Sequence, residues 1–484
     1  MKKLFTLILL VSIFTGSLTT TQAQGFEYGL GLKIDEGKYN QVQLAHVSRG
    51  DFKALPRKVS LKKYCPTPQS QGKTGTCVAW SSTYGARTII YAMENNLTDQ
   101  QKIDQIAFSP SFIYNQIKEK GDNNCKAGTY LYDAMKLLKT EGAVPLKEFA
   151  FDCNLKPNTR EISKAGKYKI KDYHRLFFSD AKNKVEMVKK SLAAGNPVIV
   201  AIKIGFTFSY AKYVYKDAAP ADANRGGHAM VVVGYDDDKQ AFEIMNSWGT
   251  KWGNKGFIDY HYDSFQKYCA QAYEMIPSTP VLLSDDMVGK SIPKAKISGT
   301  VQFKQYLEDS EVFQDMRVTK VGNEYQMVNS YTSGDNFQIT ITNNQRIHVY
   351  AFNFDGTKKC FKLFPFSGDV LEAYHKQSRG TKISSIKNHK RSKTIIPHED
   401  HVISLDDTKG MDYFCILFSR KSLSLARIMI DIEKTPGTFE QRLTKALGSQ
   451  MAKPNEIKMD QSLMNFKANT KGVVVPLVVR MRHR

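Results

Sequence analysis

The apolar residues of this chain change their period once, and that change sets the fold class. After Cys77, the residues Trp80, Tyr84, Ile89, Ile90 and Met93 recur at helical spacing and predict a helix from Cys77 to about Asn95. Ser109 followed by Pro110 caps and opens a second helix. Residues 130–140 give a third, stopped near Gly142. Beyond Tyr168 the pattern turns to continuous apolar runs at 198–204, 230–235, 242–245 and 257–262, separated by Gly- and Asp-rich turns. Helices first and strands second predict an α+β body with a cleft between two lobes.

The 484 residues leave room for more than one such body. Pro277, Pro280, Asp285, Asp286 and Pro293 mark a linker over 277–299. After it, runs at 337–342, 346–354, 360–364, 413–418 and 427–432 read as strands, 438–447 as a helix and 473–479 as a last strand. That spacing fits a β-sandwich. At the other end, Lys2-Lys3, an apolar run from Leu4 to Phe14 and small residues up to Ala23 have the layout of a secretory signal peptide. The apolar core is short for a membrane span, which takes ~20 residues. The expected order is signal peptide 1–23, leader or short propeptide 24–56, enzyme 57–276, linker 277–299 and β-rich accessory domain 300–484. The expected location is secreted or periplasmic, where disulfides persist. The net charge of +22 is spread over both halves, which fits a basic secreted surface better than a nucleic-acid stripe. Its densest run, 382–393, reads as a solvated loop.

Four segments carry chemistry: Gln71-Gly-Lys-Thr-Gly-Thr-Cys77, Gly226-Gly-His228-Ala-Met230, Gly234-Tyr235 and Asn246-Ser-Trp248-Gly-Thr-Lys-Trp252-Gly253. A thiol nucleophile needs a lowered pKa, a base to exchange protons with and a group that orients the base. Cys77 at a helix start feels the positive end of the helix dipole. His228 opens a strand and can serve as acid and base, while Asn246 can hold its ring. Gln71, six residues before Cys77 across a Gly-rich turn, can aim its amide at a developing oxyanion beside the Cys77 N–H.

Together these segments closely resemble the papain-like cysteine peptidases, over about 215 residues from near Leu55 to Ile276. His228 and Asn246 follow Cys77 by 151 and 169 residues, near the family's spacing. The resemblance implies a papain-like fold, a helical lobe plus a β-barrel-like lobe, followed here by the mainly-β domain. It implies Cys77 as nucleophile, His228 as acid and base, Asn246 as orienter, Gln71 as oxyanion donor and Trp248 as the shield of the His–Asn bond. Protein or peptide substrates follow, with no metal or other cofactor. Thr74 and Val78 stand where the family has Cys and Trp, and Cys125-Lys-Ala-Gly128 resembles its Cys-x-Gly-Gly wall with one Gly replaced.

By the same resemblance, the subsite for the second residue before the scissile bond takes Gly128, Thr129, Ala201 and Ala229 as walls and Glu274 as floor, where a carboxylate would favour Arg. A one-residue slip of the strand would instead turn Glu274 to solvent. The expected disulfides are Cys125–Cys153 and Cys65–Cys269, while Cys360 and Cys415 either pair or remain buried thiols. About thirty residues separate Ala23 from the enzyme, too few for the family's large inhibitory domain, so any block would fall to the short leader. Residues 348–356 and 363–365 resemble accessory β-domains of secreted bacterial proteins, with docking or passive stabilisation as open roles. The alternatives to a peptidase are a binding or assembly protein on a papain-like body and a Cys–His cell-wall amidase.

Overall fold

The computed structural model describes residues 27–45, 55–218, 224–277, 296–366, 382–387, 392–398 and 401–484. The expected signal peptide and most of the expected linker lie outside the described residues. Among the described residues, no helix is long and apolar enough to cross a membrane.

The central helix runs Cys77–Ala79, widens into a π-helical stretch Trp80–Arg87 and continues as Thr88–Glu94. It is buried from Cys77 to Ile90, and its sequence there is apolar or small apart from Arg87, which pairs with Glu94 at 3.3 Å. A Cβ on Gly85 would lie 2.7 Å from Val231 Cγ2, so glycine there lets the helix rest on the strand Gly226–Asp236. That contact sets Cys77 beside the strand that carries His228. Ser109 caps the helix Pro110–Ile117 by accepting from Phe112 N at 3.3 Å. The third expected helix is Leu131–Thr140, followed by Gly142 at φ 92°.

The second lobe is an eight-stranded sheet. Its order is Asp172–Arg175, Cys269–Ile276, Val198–Ile204, Gly226–Asp236, Ala241–Met245, Phe257–His261 and Val214–Tyr215, with Lys58–Ser60 paired to Gly226–Asp236. Val198–Ile204 has its expected limits, whereas the His228 strand begins four residues earlier than its apolar run, because Gly226-Gly227 carry no hydrophobic signal.

Among the described residues, the C-terminal region is two seven-stranded sheets face to face. The first is built on Lys296–Leu307 between Asn336–Asn343 and Met464–Asn469. The second is built on Gly410–Ser419 between Ile347–Phe354 and Val474–His483. Phe303, Phe337, Ile339, Phe414, Ile416, Phe418 and Val479 fill the space between them. The sandwich expected from strand spacing is present, with one correction. Residues 427–432, read as a strand, lie within the helix Leu425–Lys434. Ile428, Ile430 and Ile432 do alternate, but Leu425, Ile428 and Ile432 share a helical face that packs on Phe352, Cys415 and Val478, and Ile430 is 45% exposed. One more expectation changes, and one left open takes its second form. Ile383, Ser384 and Ile386 are buried, so the basic run 382–393 is not simply a solvated loop. Cys360 and Cys415 are free thiols, on strands separated by Ile347–Phe354.

The helix assignment predicts a contrast in stability. Ile432→Ala should cost about 2–5 kcal/mol by opening a cavity, whereas Ile430→Ser should stay within about 0.5 kcal/mol. Urea unfolding of both variants measures this, and equal losses would contradict the helical packing.

Candidate active site

The helix start and the strand bring the four chemical residues together. His228 Nε2 and Asn246 Oδ1 are 2.7 Å apart, and Asn246 Oδ1 also accepts from Ser247 N at 2.8 Å. Trp248 stacks on the His228 ring at 4.7 Å and is boxed by Phe208 and Trp252. Gln71 is tied to the same corner: its N–H donates to Ser247 O at 2.8 Å, and its Oε1 accepts from Ser247 Oγ at 2.5 Å. Its side-chain Nε2 is thereby aimed outward, as a donor. Cys77 and His228 are fully buried.

They are buried because the leader fills the cleft. Tyr28 stacks flat on Trp248 at 4.6 Å, with 11° between the rings. Gln71 Nε2 donates to Gly29 O at 3.1 Å as well as to Thr74 O at 2.7 Å. The Cys77 thiol lies against backbone groups of Gly31 and Ala229. Leu32–Lys33 then pairs in parallel with Thr129–Tyr130, and Thr129 N donates to Gly31 O at 2.9 Å. Such proximity needs glycine. A Cβ on Gly29 would lie 2.1 Å from Thr74 O, one on Gly31 1.9 Å from Gly75 O, and one on Gly128 2.2 Å from Gly31 O. Tyr28, Gly29 and Gly31 have no assigned role in the sequence reading. Their one signal is the alternation Gly29-Leu-Gly31-Leu32, which marks a backbone that must approach another backbone closely.

Residues 55–278 match the family model described as Papain family cysteine protease. This segment is a papain-family cysteine protease domain. A cathepsin L-like proteinase of Fasciola hepatica is 27% identical over 214 residues, covering 43% of this chain and 60% of that protein. Cathepsin K of Gallus gallus is 28% identical over 205 residues, covering 41% of this chain and 55% of that protein. Xylellain, a cysteine protease from Xylella fastidiosa, aligns with a TM-score of 0.45 and 23% identity, over 53% of this chain and 98% of xylellain. The chain thus spans less than two thirds of the length of these two curated relatives.

The wall of the papain-family cleft departs from expectation at one residue. Gly128 and Thr129 meet the leader, and Ala201 pairs with Ala229 in the sheet. The strand Cys269–Ile276 sets Gln271, not Glu274, opposite Ala201. Glu274 pairs with Val198 on one side and His174 on the other, three residues farther along. It neither floors the subsite nor faces solvent: it is fully buried, accepting from Ser191 Oγ at 2.7 Å and Asn196 Nδ2 at 3.3 Å and lying 3.2 Å from His174 Nδ1. Counting from Cys269 misplaces it because the register shifts between Cys269 and Gln271. Cys125–Cys153 is a disulfide. The Cys65–Cys269 pairing fails: Cys65 faces Leu61 O at 3.8 Å, Cys269 faces Gln271 O at 3.4 Å, and both are free thiols.

Electrostatics follow from the cover. Burial pushes the Cys77 thiol up to about 11, against nearby backbone groups that lower it. Burial also drives the His228 imidazole down to about 4, although the Asn246 bond favours its protonated form. Between those values the closed pair is neutral thiol and neutral imidazole, not the thiolate expected from the helix start. The sign of the consequence is fixed: a thiol near 11 loses thiolate tenfold per pH unit below it. Because the thiol is covered, its alkylation by iodoacetamide at pH 7 should be slower by about tenfold or more in the intact chain than in one carrying Gly29→Ala and Gly31→Ala. Equal rates in the two chains would show a thiol that the leader does not cover.

Proposed function

We propose that this protein is a secreted cysteine endopeptidase, made with its leader seated in its own cleft. The observation that carries the reading is the Gln71 amide bonded to a peptide carbonyl, Gly29 O, beside a fully buried thiol. A substrate carbonyl in that position would lie between Gln71 Nε2 and the Cys77 N–H, the donors an oxyanion needs. With the leader gone, Cys77 Sγ and His228 regain water and a shared proton. The thiolate attacks the carbonyl carbon, and the imidazolium gives its proton to the leaving amine. The resulting Cys77 acyl-enzyme is hydrolysed by a water that His228 deprotonates. Asn246 fixes the ring through Nε2, and Trp248 keeps water from that bond. Secretion rests on the Lys2-Lys3, apolar and Ala23 pattern, and the Cys125–Cys153 disulfide agrees with an oxidising compartment.

The glycines supply a test that leaves the enzyme untouched. A chain carrying Gly29→Ala and Gly31→Ala cannot seat its leader and should hydrolyse a fluorogenic peptide, while the intact chain should not. Adding Cys77→Ala should abolish that hydrolysis. In the unseated chain, Gln71→Ala should cost about 2.7–4 kcal/mol of transition-state stabilisation. Asn246→Ala should slow turnover with Cys77 still alkylatable. A folded, unseated chain that reacts with thiol reagents yet cleaves no peptide would contradict the peptidase reading.

A further inference from the structure

Residues 42–45 of the leader leave the cleft and enter the seam between the protease domain and the sandwich. There the backbone is stitched to both sides. Arg175 N donates to Gln43 O at 3.0 Å and Ala45 N to Arg175 O at 2.9 Å, on the protease strand Asp172–Arg175. Leu44 N donates to Lys382 O at 2.9 Å and Ser384 N to Leu44 O at 3.0 Å, on the sandwich. Leu44 thus bridges Arg175 and Ile383 at once, as a strand laid between two edges. Side chains divide the same way. Val42 and Ala45 belong to the protease core, whereas Leu44 packs against the sandwich core that includes Ile383.

The seam behind this strand is built from buried polar groups of both domains. Ser384 Oγ lies 2.7 Å from His174 Nε2, whose other ring nitrogen meets Glu274. Arg346 of the sandwich donates to Asn196 Oδ1 at 2.9 Å, and Asn196 in turn donates to Glu274. Lys171 Nζ donates to Arg420 O at 3.2 Å. Buried donors and acceptors matched across a seam hold its two faces in one register. Arg175 extends the hold on the leader itself: its Nε donates to Val42 O at 3.0 Å and its NH1 to Asn40 Oδ1 at 3.0 Å, just after the leader helix Glu36–Asn40.

We propose that the C-terminal sandwich is the leader's retaining domain, with residues 382–384 as a strand-addition site for residues 43–45 and Leu44 as the anchor. The inference rests on the leader being the cleft's block and gives residues 300–484 a task the protease domain alone does not cover. Leu44 follows Leu32 by twelve positions. Holding one end of so short a tether keeps the cleft segment at high effective concentration over Cys77, so a momentary opening recloses before the site is reached. Leader residence is then set jointly by the cleft contacts and by the seam that holds residues 43–45.

Leu44→Asp and Ile383→Asp, each in the full chain, test this by placing a charge in the sandwich core at the anchor. The readouts are the alkylation rate of Cys77 by iodoacetamide, located by mass spectrometry, and hydrogen exchange over residues 28–34. Both variants should alkylate at least tenfold faster than wild type and lose protection over 28–34. Wild-type rates and protection in the folded variants would overturn the proposal. Should Ile383→Asp fail to fold, Leu44→Pro replaces it: it removes the N–H that bonds Lys382 O and changes no residue of either domain. Alkylation reports access to the thiol, not turnover, so the result stands whether or not the protein cleaves peptides.

Discussion

Two backbones in near contact govern this molecule. Gly29 and Gly31 let the leader approach Thr74 and Gly75 closely enough for Gln71 to hold a leader carbonyl and for Gly31 to lie against the Cys77 thiol. Water is excluded from Cys77 and His228 by that fit, and the exclusion sets their charge state. Desolvation disfavours both the thiolate and the imidazolium. The dipole of a helix starting at Cys77 works in the opposite direction and is outweighed while the cover is in place. Cys77 and His228 are thus held in place and uncharged at the same time.

Positioning comes from the rigid parts of the protease domain. The buried helix at Cys77 meets the His228 strand through the close contact at Gly85, and the corner at Gln71, Asn246, Ser247 and Trp248 is tied by short hydrogen bonds. None of these contacts requires the leader, so its departure need not rebuild the site. The sandwich meets the protease domain elsewhere, where Glu274, His174, Asn196, Arg346 and Ser384 make a hydrogen-bonded polar seam. A carboxylate buried there is a component of domain docking, not of substrate selection.

What could be read from the sequence followed physical rules that act locally. The helix from Cys77, the capped helix at Pro110 and the strand Val198–Ile204 announce themselves through period, cap and apolar run, and the chemical residues through their spacing. The misreadings share a different cause. Ile428, Ile430 and Ile432 satisfy a strand's period as well as a helix's, and only the outer face of the sheet decides between them. Glu274 lies beyond a register shift that residue counting cannot see. The free thiols Cys65 and Cys269 depend on where two distant segments settle. The leader's role was written in two glycines, but their meaning appears only once the opposing backbone of Thr74 and Gly75 is in place.

That the leader's cover keeps Cys77 and His228 neutral is the point on which the rest turns. It is tested most directly by following the His228 ring nitrogens by NMR across pH, in wild type and in the chain carrying Gly29→Ala and Gly31→Ala. The ring should stay neutral down to about pH 4 in wild type and be protonated near neutrality, coupled to Cys77, once the leader cannot seat. An imidazole with the same low titration in both chains would contradict it.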